Sequence, residues 1–171
     1  MALEFNKILQ DYGPMLSRIV ASYEADPAIQ QEVLQDVSLA LWQALPKFRG
    51  DGSLKAFIAR VAQNRAVSHV AKAANRPQQA ELEDDMACDA DGPEDRLEKR
   101  QQRQHLVAAV RALPLNLRQV TTLALEGFSH REIGDALGIS ENNAMVRFSR
   151  AKETLKIHMT RGRGVAQGGA K

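Results

Sequence analysis

"FSHREIGDALGISENNAMVRFSRAKETL", residues Phe128–Leu155, reads as two short amphipathic helices joined by a tight turn. Ser129 is placed to cap the first helix, and Glu132, three residues on, completes a capping box. Ile133 and Leu137 share one face at i and i+4. Gly134 leaves room for another helix to approach, and Gly138 can take the positive φ that ends a helix. Ser140 caps the second helix, whose apolar face is Ala144, Phe148, Ala151 and Leu155, spaced 4, 3 and 4. Left outward are Asn142, Asn143, Met145, Arg147, Ser149, Arg150 and Lys152, with no acid between Glu141 and Glu153. The blander reading is a helical hairpin with a solvated basic face. Small residue, glycine turn and cap in this order favour a helix-turn-helix, and amide and guanidinium donors suit base edges and phosphates. That motif class holds many kinds of regulator, so it does not settle the function.

At 171 residues the chain fits one domain or two small ones. No apolar run approaches the roughly twenty residues that span a membrane. The opening "MALEFNKILQDYG" carries acids and lacks the apolar core of a signal peptide, so a cytoplasmic location is expected. Cys88 is the only cysteine and sits in "DDMACDADG", an acidic setting that disfavours a reactive thiolate. Charge is strongly segregated. Residues 1–75 hold eight Lys/Arg against seven Asp/Glu, 76–99 hold three against nine, and 100–171 hold twelve against five. A basic C-terminal third around the helix-turn-helix is the footprint of a nucleic-acid binder. The acidic middle, low in hydrophobicity, reads as a flexible linker. The expected fold is all-α: two small helical domains, 1–75 and 100–160, joined by an acidic linker, 76–99, with a disordered basic tail at 161–171.

Three helices are expected before Arg76. Phe5, Ile8, Leu9, Tyr12, Leu16, Ile19, Val20 and Tyr23 form one stripe, with a break or kink at Gly13–Pro14. Asp26 caps a second helix with Pro27 at its first position; Val33, Val37, Leu41 and Leu45 turn inward. "PKFRGDGS" is a loop, and Ser53 caps a third helix running from Leu54 to about Ala74. Phe57, Ile58, Val61, Ala62 and Val70 face inward on it, with Lys55, Arg60, Arg65, His69 and Lys72 on other surfaces.

Two long stretches carry a family resemblance. "DPAIQQEVLQDVSLALWQALPKFRGDGSLKAFIARVAQNRAVSH" resembles region 2 of the bacterial extracytoplasmic-function (ECF) sigma factors, a small-protein group of the main sigma family. The matching features are the "QDV…LW" helix, the "FRG" loop followed by Ser-Leu and an aromatic, and "IARVAQNRA". "LVAAVRALPLNLRQVTTLALEGFSHREIGDALGISENNAMVRFSRAKETL" is similar to region 4, through "ALP…R", "EIGDALGIS" and "R…RAKETL". Together they cover nearly everything outside the linker and tail.

The resemblance implies partners and sites. Core RNA polymerase, through its large-subunit coiled coil and flap, promoter DNA and an anti-sigma protein are the implied partners, with no cofactor and no membrane insertion. Glu32, Gln35, Asp36 and Trp42 match the helix that docks on the coiled coil, and Gln30 and Gln31 stand where relatives often carry acid. The loop Phe48–Ser53 and the start of the third helix match the part that opens the −10 element. Capturing an unstacked base needs a pocket with amide and hydroxyl groups, and stacking and cationic side chains hold the strand. Phe48, Arg49, Asp51, Ser53, Lys55, Arg60, Asn64 and Arg65 supply those types. Ser68 stands where many members have Asp, Ala71 where many have Arg, and Phe57, read as core, where Trp is common. The second region 4 helix matches the reader of the −35 element, giving Asn142, Asn143, Met145, Arg147, Arg150 and Lys152. Residues 142–146 depart from the Gly-Thr-Val-Lys-Ser that many relatives carry before the Arg at 147.

Elements about 17 base pairs apart lie roughly 58 Å apart at about 3.4 Å per pair. Residues 76–98 stretch to about 75–80 Å at roughly 3.3–3.6 Å each, so the tether can reach. His69, His105, His130 and His158 show neither ligand spacing nor paired carboxylates, so an enzyme is not expected. The competing readings are a dimeric helix-turn-helix regulator working without polymerase and a helical adaptor. Limited proteolysis is expected to cut first between Glu81 and Asp95, leaving fragments near 1–75 and 100–160. A segment as resistant as the helices would contradict the linker reading.

Overall fold

The computed structural model describes residues 2–75 and 95–167, with side chains up to Arg161. The expectations for residues 76–94, including Cys88, and for 168–171 lie outside the described residues. Every described element is helical: α1 (Ala2–Ala21), α2 (Pro27–Ala44), a 3-10 turn (Leu45–Lys47), α3 (Leu54–Ala73), α4 (Asp95–Arg111), α5 (Leu115–Leu125), α6 (His130–Leu137) and α7 (Glu141–Gln167).

The caps fall where the sequence puts them. The Asp26 carboxylate accepts from the Ala28 N–H at 2.9 Å, and Ser53 Oγ accepts from Ala56 at 3.4 Å. Ser129 and Glu132 form a reciprocal capping box, and Gly138 ends α6 at φ 70°. Gly134 is where the helix-turn-helix closes. A Cβ there would sit 2.7 Å from the Ile139 carbonyl oxygen, closer than the following turn can tolerate.

Three expectations are corrected. Of the break or kink expected at Gly13–Pro14, the break does not occur: α1 runs through Pro14, with Met15, Leu16, Ile19 and Val20 buried just beyond. The lost backbone bond is outweighed by that burial. The linker ends earlier than residue 99, since α4 begins at Asp95; "DRLEKRQQRQ" lacks Gly and Pro and extends the helix backwards. The tail is not irregular from residue 161, because α7 continues to Gln167. Adding residues to an existing helix costs far less than nucleating one, so Gly162 and Gly164 are carried along.

α1, α2 and α3 pack on one another through Leu16, Ile19, Val20, Val33, Val37, Leu41, Ile58 and Ala62, all buried. α5, α6 and α7 pack around Val120, Leu123, Ile133 and Ala144. A smaller cluster of Val110, Leu113, Leu117 and Ala151 ties α4 to α5 and α7. The two helical units are the expected ones, but they also pack on each other. α3 lies against both α5 and α6, and one continuous buried cluster runs from Met15 to Ala144.

Polar contacts line the same seam. Arg18 grips the Glu126 carboxylate with two bonds, Nε–Oε1 at 2.7 Å and Nη2–Oε2 at 2.8 Å. That hydrogen bond raises the Arg18 pKa. Lys55 Nζ donates to the Glu126 carbonyl at 2.8 Å and lies 4.9 Å from the Phe128 ring centre. The Tyr23 hydroxyl donates to Gln63 Oε1, and Gln63 Nε2 donates to the Gln119 carbonyl at 3.3 Å. Burial pushes the Tyr23 phenol far above its usual range, so it stays a neutral donor. The Arg118 guanidinium lies 5.5 Å from the Tyr23 ring centre, and Arg111 reaches the Ala21 and Glu24 carbonyls at 3.4 Å. Burial lowers the pKa of both arginines. Glu126→Ala is expected to cost about 0.5–1.5 kcal/mol, since Arg18 is largely solvated. It should also lengthen the distance between dyes on α2 and α7 in energy-transfer measurements. An unchanged distance would mean the apolar seam alone sets the arrangement.

Candidate nucleic-acid interface

α7 presents its outward residues on two sides. At about 100° per residue, Asn143, Arg147 and Arg150 fall at i, i+4 and i+7 on one side. Asn142, Met145, Ser149 and Lys152 fall on another. The first set is physically linked: Ser140 Oγ accepts from the Asn143 N–H at 3.0 Å, and Asn143 Oδ1 accepts from Arg147 Nε at 3.0 Å. Arg147 is therefore half-buried and aimed, while Asn142, Asn143, Arg150 and Lys152 are exposed. Met145 is 49% exposed, unusual for a methionine on a packed helix. Lys152 lies 5.1 Å from the Phe148 ring centre.

The eight residues expected to meet the −10 element do not form one site. Gly50 and Gly52 take φ of 80° and 96° and let the loop after the 3-10 turn double back. Phe48 stacks tilted on Phe57, ring centres 5.0 Å apart, and the Arg60 guanidinium lies 5.6 Å from the Phe57 ring centre. Phe48, Arg49, Asp51, Ser53 and Arg60 line a groove of about 590 Å³, whose other wall is α6, with Glu132, Asp135 and Ala136. Phe57, expected in the core, packs half-buried against it and also borders this groove. Asn64 and Arg65 line a separate groove between α2 and α3. Lys55 lines neither, a departure from expectation. Its ammonium is held by the carbonyl of Glu126, the C-cap of α5, and by the Phe128 ring.

Glu32, Gln35 and Asp36 are exposed along α2, and Trp42 is 45% exposed with Phe5 edge-on at 5.0 Å. Leu39, 57% exposed, sits among them and was missed in the sequence. The available signal was its position one step outside the buried 33–37–41 spacing. His69, read as a surface residue, pairs with Glu24 at 2.8 Å, and both side chains are largely buried.

The comparisons follow this geometry. Residues 8–76 match the family model for Sigma-70 region 2, and residues 103–155 match that for Sigma-70, region 4. The chain belongs to the sigma-70 family. Its sigma-70 relatives include the RNA polymerase sigma factor NccH of Alcaligenes xylosoxydans xylosoxydans, 27% identical over 88% of this chain and 84% of that one. The ECF RNA polymerase sigma-E factor of Escherichia coli (strain K12) is 24% identical over the same shares. Among solved structures, CnrH in complex with the cytosolic domain of CnrY has a TM-score of 0.70, 20% identity, and covers 94% of this chain and 90% of its own. The sigma factor RpoE with the anti-sigma factor NepR from Bartonella quintana has a TM-score of 0.70 at 18% identity, covering 92% and 97%. These two share its fold. Sigma-70 family members are initiation factors, not enzymes, and no described helix is long and apolar enough to cross a membrane.

In sigma-70 terms the α7 stripe lies in region 4, so its two sides should behave differently on DNA. Asn143→Ala or Arg147→Ala is expected to change base preference in the −35 element at about 1–3 kcal/mol per lost base contact. Lys152→Ala should weaken all promoters alike and flatten the salt slope by about one unit. Binding across single-base −35 variants at two salt concentrations checks both. A base-preference shift from Lys152→Ala alone would mean that the other side of α7 enters the groove.

Proposed function

We propose that this chain is an ECF-type sigma factor that binds core RNA polymerase, recognises −10 and −35 elements and directs initiation from a small promoter set. The observation that carries the reading is the ordered pair of region 2 and region 4 matches, each falling on its own helical unit. Glu32, Gln35, Asp36 and Trp42, with Leu39 at the centre of their face, are the proposed contacts to the polymerase large-subunit coiled coil; region 4 meets the flap. An acidic rim around an exposed apolar anchor is what a basic helix pair can grip. Asn142, Asn143, Met145, Arg147, Arg150 and Lys152 are the proposed −35 residues. Phe48, Arg49, Asp51, Ser53, Arg60, Asn64 and Arg65 are the proposed −10 residues, joined by Lys55 only once region 4 has moved away. The cytoplasm, where polymerase and promoters are, is the proposed location.

The packed arrangement bears on regulation. α6 places Glu132 and Asp135 across the groove from Arg49 and Arg60, so the −10 loop faces carboxylates where DNA phosphates would have to run. The RpoE relative was solved with an anti-sigma factor in a similar overall fold. An anti-sigma protein that holds regions 2 and 4 together is therefore the proposed inhibitor here.

Run-off transcription with purified core polymerase tests the function. Transcripts should require this chain and start downstream of paired −35 and −10 elements. Tight binding of the free protein to a palindrome, with no transcript at any promoter, would instead support the dimeric regulator.

A further inference from the structure

α7 runs on past the point where the region 4 match stops. The match ends at Leu155, and the helix continues to Gln167. Its rotation is fixed by the buried side, where Ala144 and Ala151 are fully covered and Leu155 and Met159 are half-buried on the same face. The outward side is therefore fixed as well. At roughly 3.6 residues per turn, eighteen residues make five whole turns, so Arg161 returns to the angle of Asn143. Asn143, Arg147, Arg150 and Arg161 share one side of one helix, the first three inside the region 4 match and the last beyond it.

Arg161 is exposed and makes no hydrogen bond or ion pair among the described residues. Helix-end electrostatics do not account for it. Cations gain from the C-terminal dipole only within the last turn, and Arg161 lies further than that from Gln167. No acidic residue follows Glu153 in the chain, so no carboxylate further along can neutralise this side. Its reach defines what it can meet. Arg161 lies about 16 Å beyond Arg150 along the axis, at roughly 1.5 Å per residue, whereas the major groove is about 12 Å wide. With Asn143 and Arg147 at base edges, Arg161 stands past the groove, over the sugar-phosphate backbone that borders it. There a guanidinium finds phosphate oxygens and no base edge.

We propose that α7 beyond Leu155 is a second DNA-contacting segment, in which Arg161 binds the phosphate backbone flanking the −35 element. The inference rests on the sigma factor reading above and on the Arg147 side of α7 facing DNA. It gives Arg161 a part that base recognition does not supply. Phosphate contacts fix register and orientation without carrying sequence. Arg161 therefore adds affinity at every promoter alike and holds the long helix in place while the proposed readers, Asn143 and Arg147, discriminate.

The test titrates promoter DNA with holoenzyme reconstituted from the full chain, at two salt concentrations, with core affinity measured alongside. Arg161→Ala should weaken every promoter several-fold and lower the slope of log affinity against log salt by about one unit. Preference among single-base −35 variants and affinity for core polymerase should stay as in the unsubstituted chain. Arg161→Lys should recover most of the loss, since phosphate also accepts a point charge. Neutral methylphosphonates placed one at a time beside the −35 element should reproduce the loss at one backbone position, and cost nothing more there with Arg161→Ala. Lys99→Ala, an equal loss of charge at an exposed position on α4, should leave the salt slope as it is. An equal effect from Lys99→Ala would point to a general field and overturn the proposal. So would unchanged binding with Arg161→Ala, an altered −35 base preference, or weaker core affinity with promoter contact intact. An unsubstituted holoenzyme with no −35 preference at all would overturn the sigma factor reading itself, and the role of Arg161 with it.

Discussion

Alanine on α3 is what allows one helix to serve both halves of the molecule. Ala59, Ala62 and Ala66 are fully buried, and their small side chains let neighbouring backbones come close. α1 and α2 take one part of the surface, α5 and α6 another. Larger residues at these positions would hold the neighbours apart, and cores packed this densely do not absorb added methylenes cheaply. With its buried surface shared so widely, α3 has only one sector left for solvent. Arg60, Asn64, Arg65, Ser68 and Lys72 are exposed there. Arg60, Asn64 and Arg65, three of the residues proposed to meet the −10 element, are thus among those the packing leaves over.

The same packing sorts the cations. Arg18 and Lys55 are committed to Glu126, and Arg111 and Arg118 to carbonyls and to the Tyr23 ring. Lys47, Arg49, Arg60 and Arg65 make no ion pair and remain available to phosphate. Sequence counts cannot make this division, because a lysine in a seam and a lysine on a DNA face contribute equally to net charge. Screening sharpens the difference: over a distance of about 8 Å salt mutes the exposed cations, whereas the half-buried Lys55, Arg111 and Arg118 are screened much less.

What could be read from the chain was whatever local chemistry dictates. The helix-turn-helix was legible because Ser129, Glu132, Gly134, Gly138 and Ser140 each answer a backbone requirement within a few residues. The apolar stripes of α1 and α2 were legible for the same reason. Gln63 was not, because a glutamine inside an apolar face looks like an error of phase until Tyr23 and the Gln119 carbonyl are found beside it. Nor was Lys55, whose acceptor lies 71 residues away. Pro14 misled in the opposite direction, since a breaker is outvoted when the turn after it is wholly buried. Within the site, residue types were legible and groupings were not. The split of the proposed −10 residues between two grooves depends on how α2, α3 and α6 approach one another.

The seam joining the halves has the composition of a contact that can be made and broken. Val120, Leu123 and Phe128 supply apolar area, but the specific bonds run from arginine, lysine and glutamine to carbonyls and one carboxylate. Each of those groups can be satisfied by water after separation, so opening strands few buried polar atoms. Interfaces between domains of one chain are commonly of this mixed kind. A purely apolar seam would leave a sticky face on both halves once parted. On the proposed function that property is needed, because elements roughly 58 Å apart cannot both be met while α6 lies against the −10 loop. Glu126 is suited to the closed state in particular. It satisfies two cations of region 2 at once, one through its side chain and one through its backbone. On the proposed function, promoter phosphates would offer Lys55 an equivalent partner, so DNA binding and inter-region packing would compete for it.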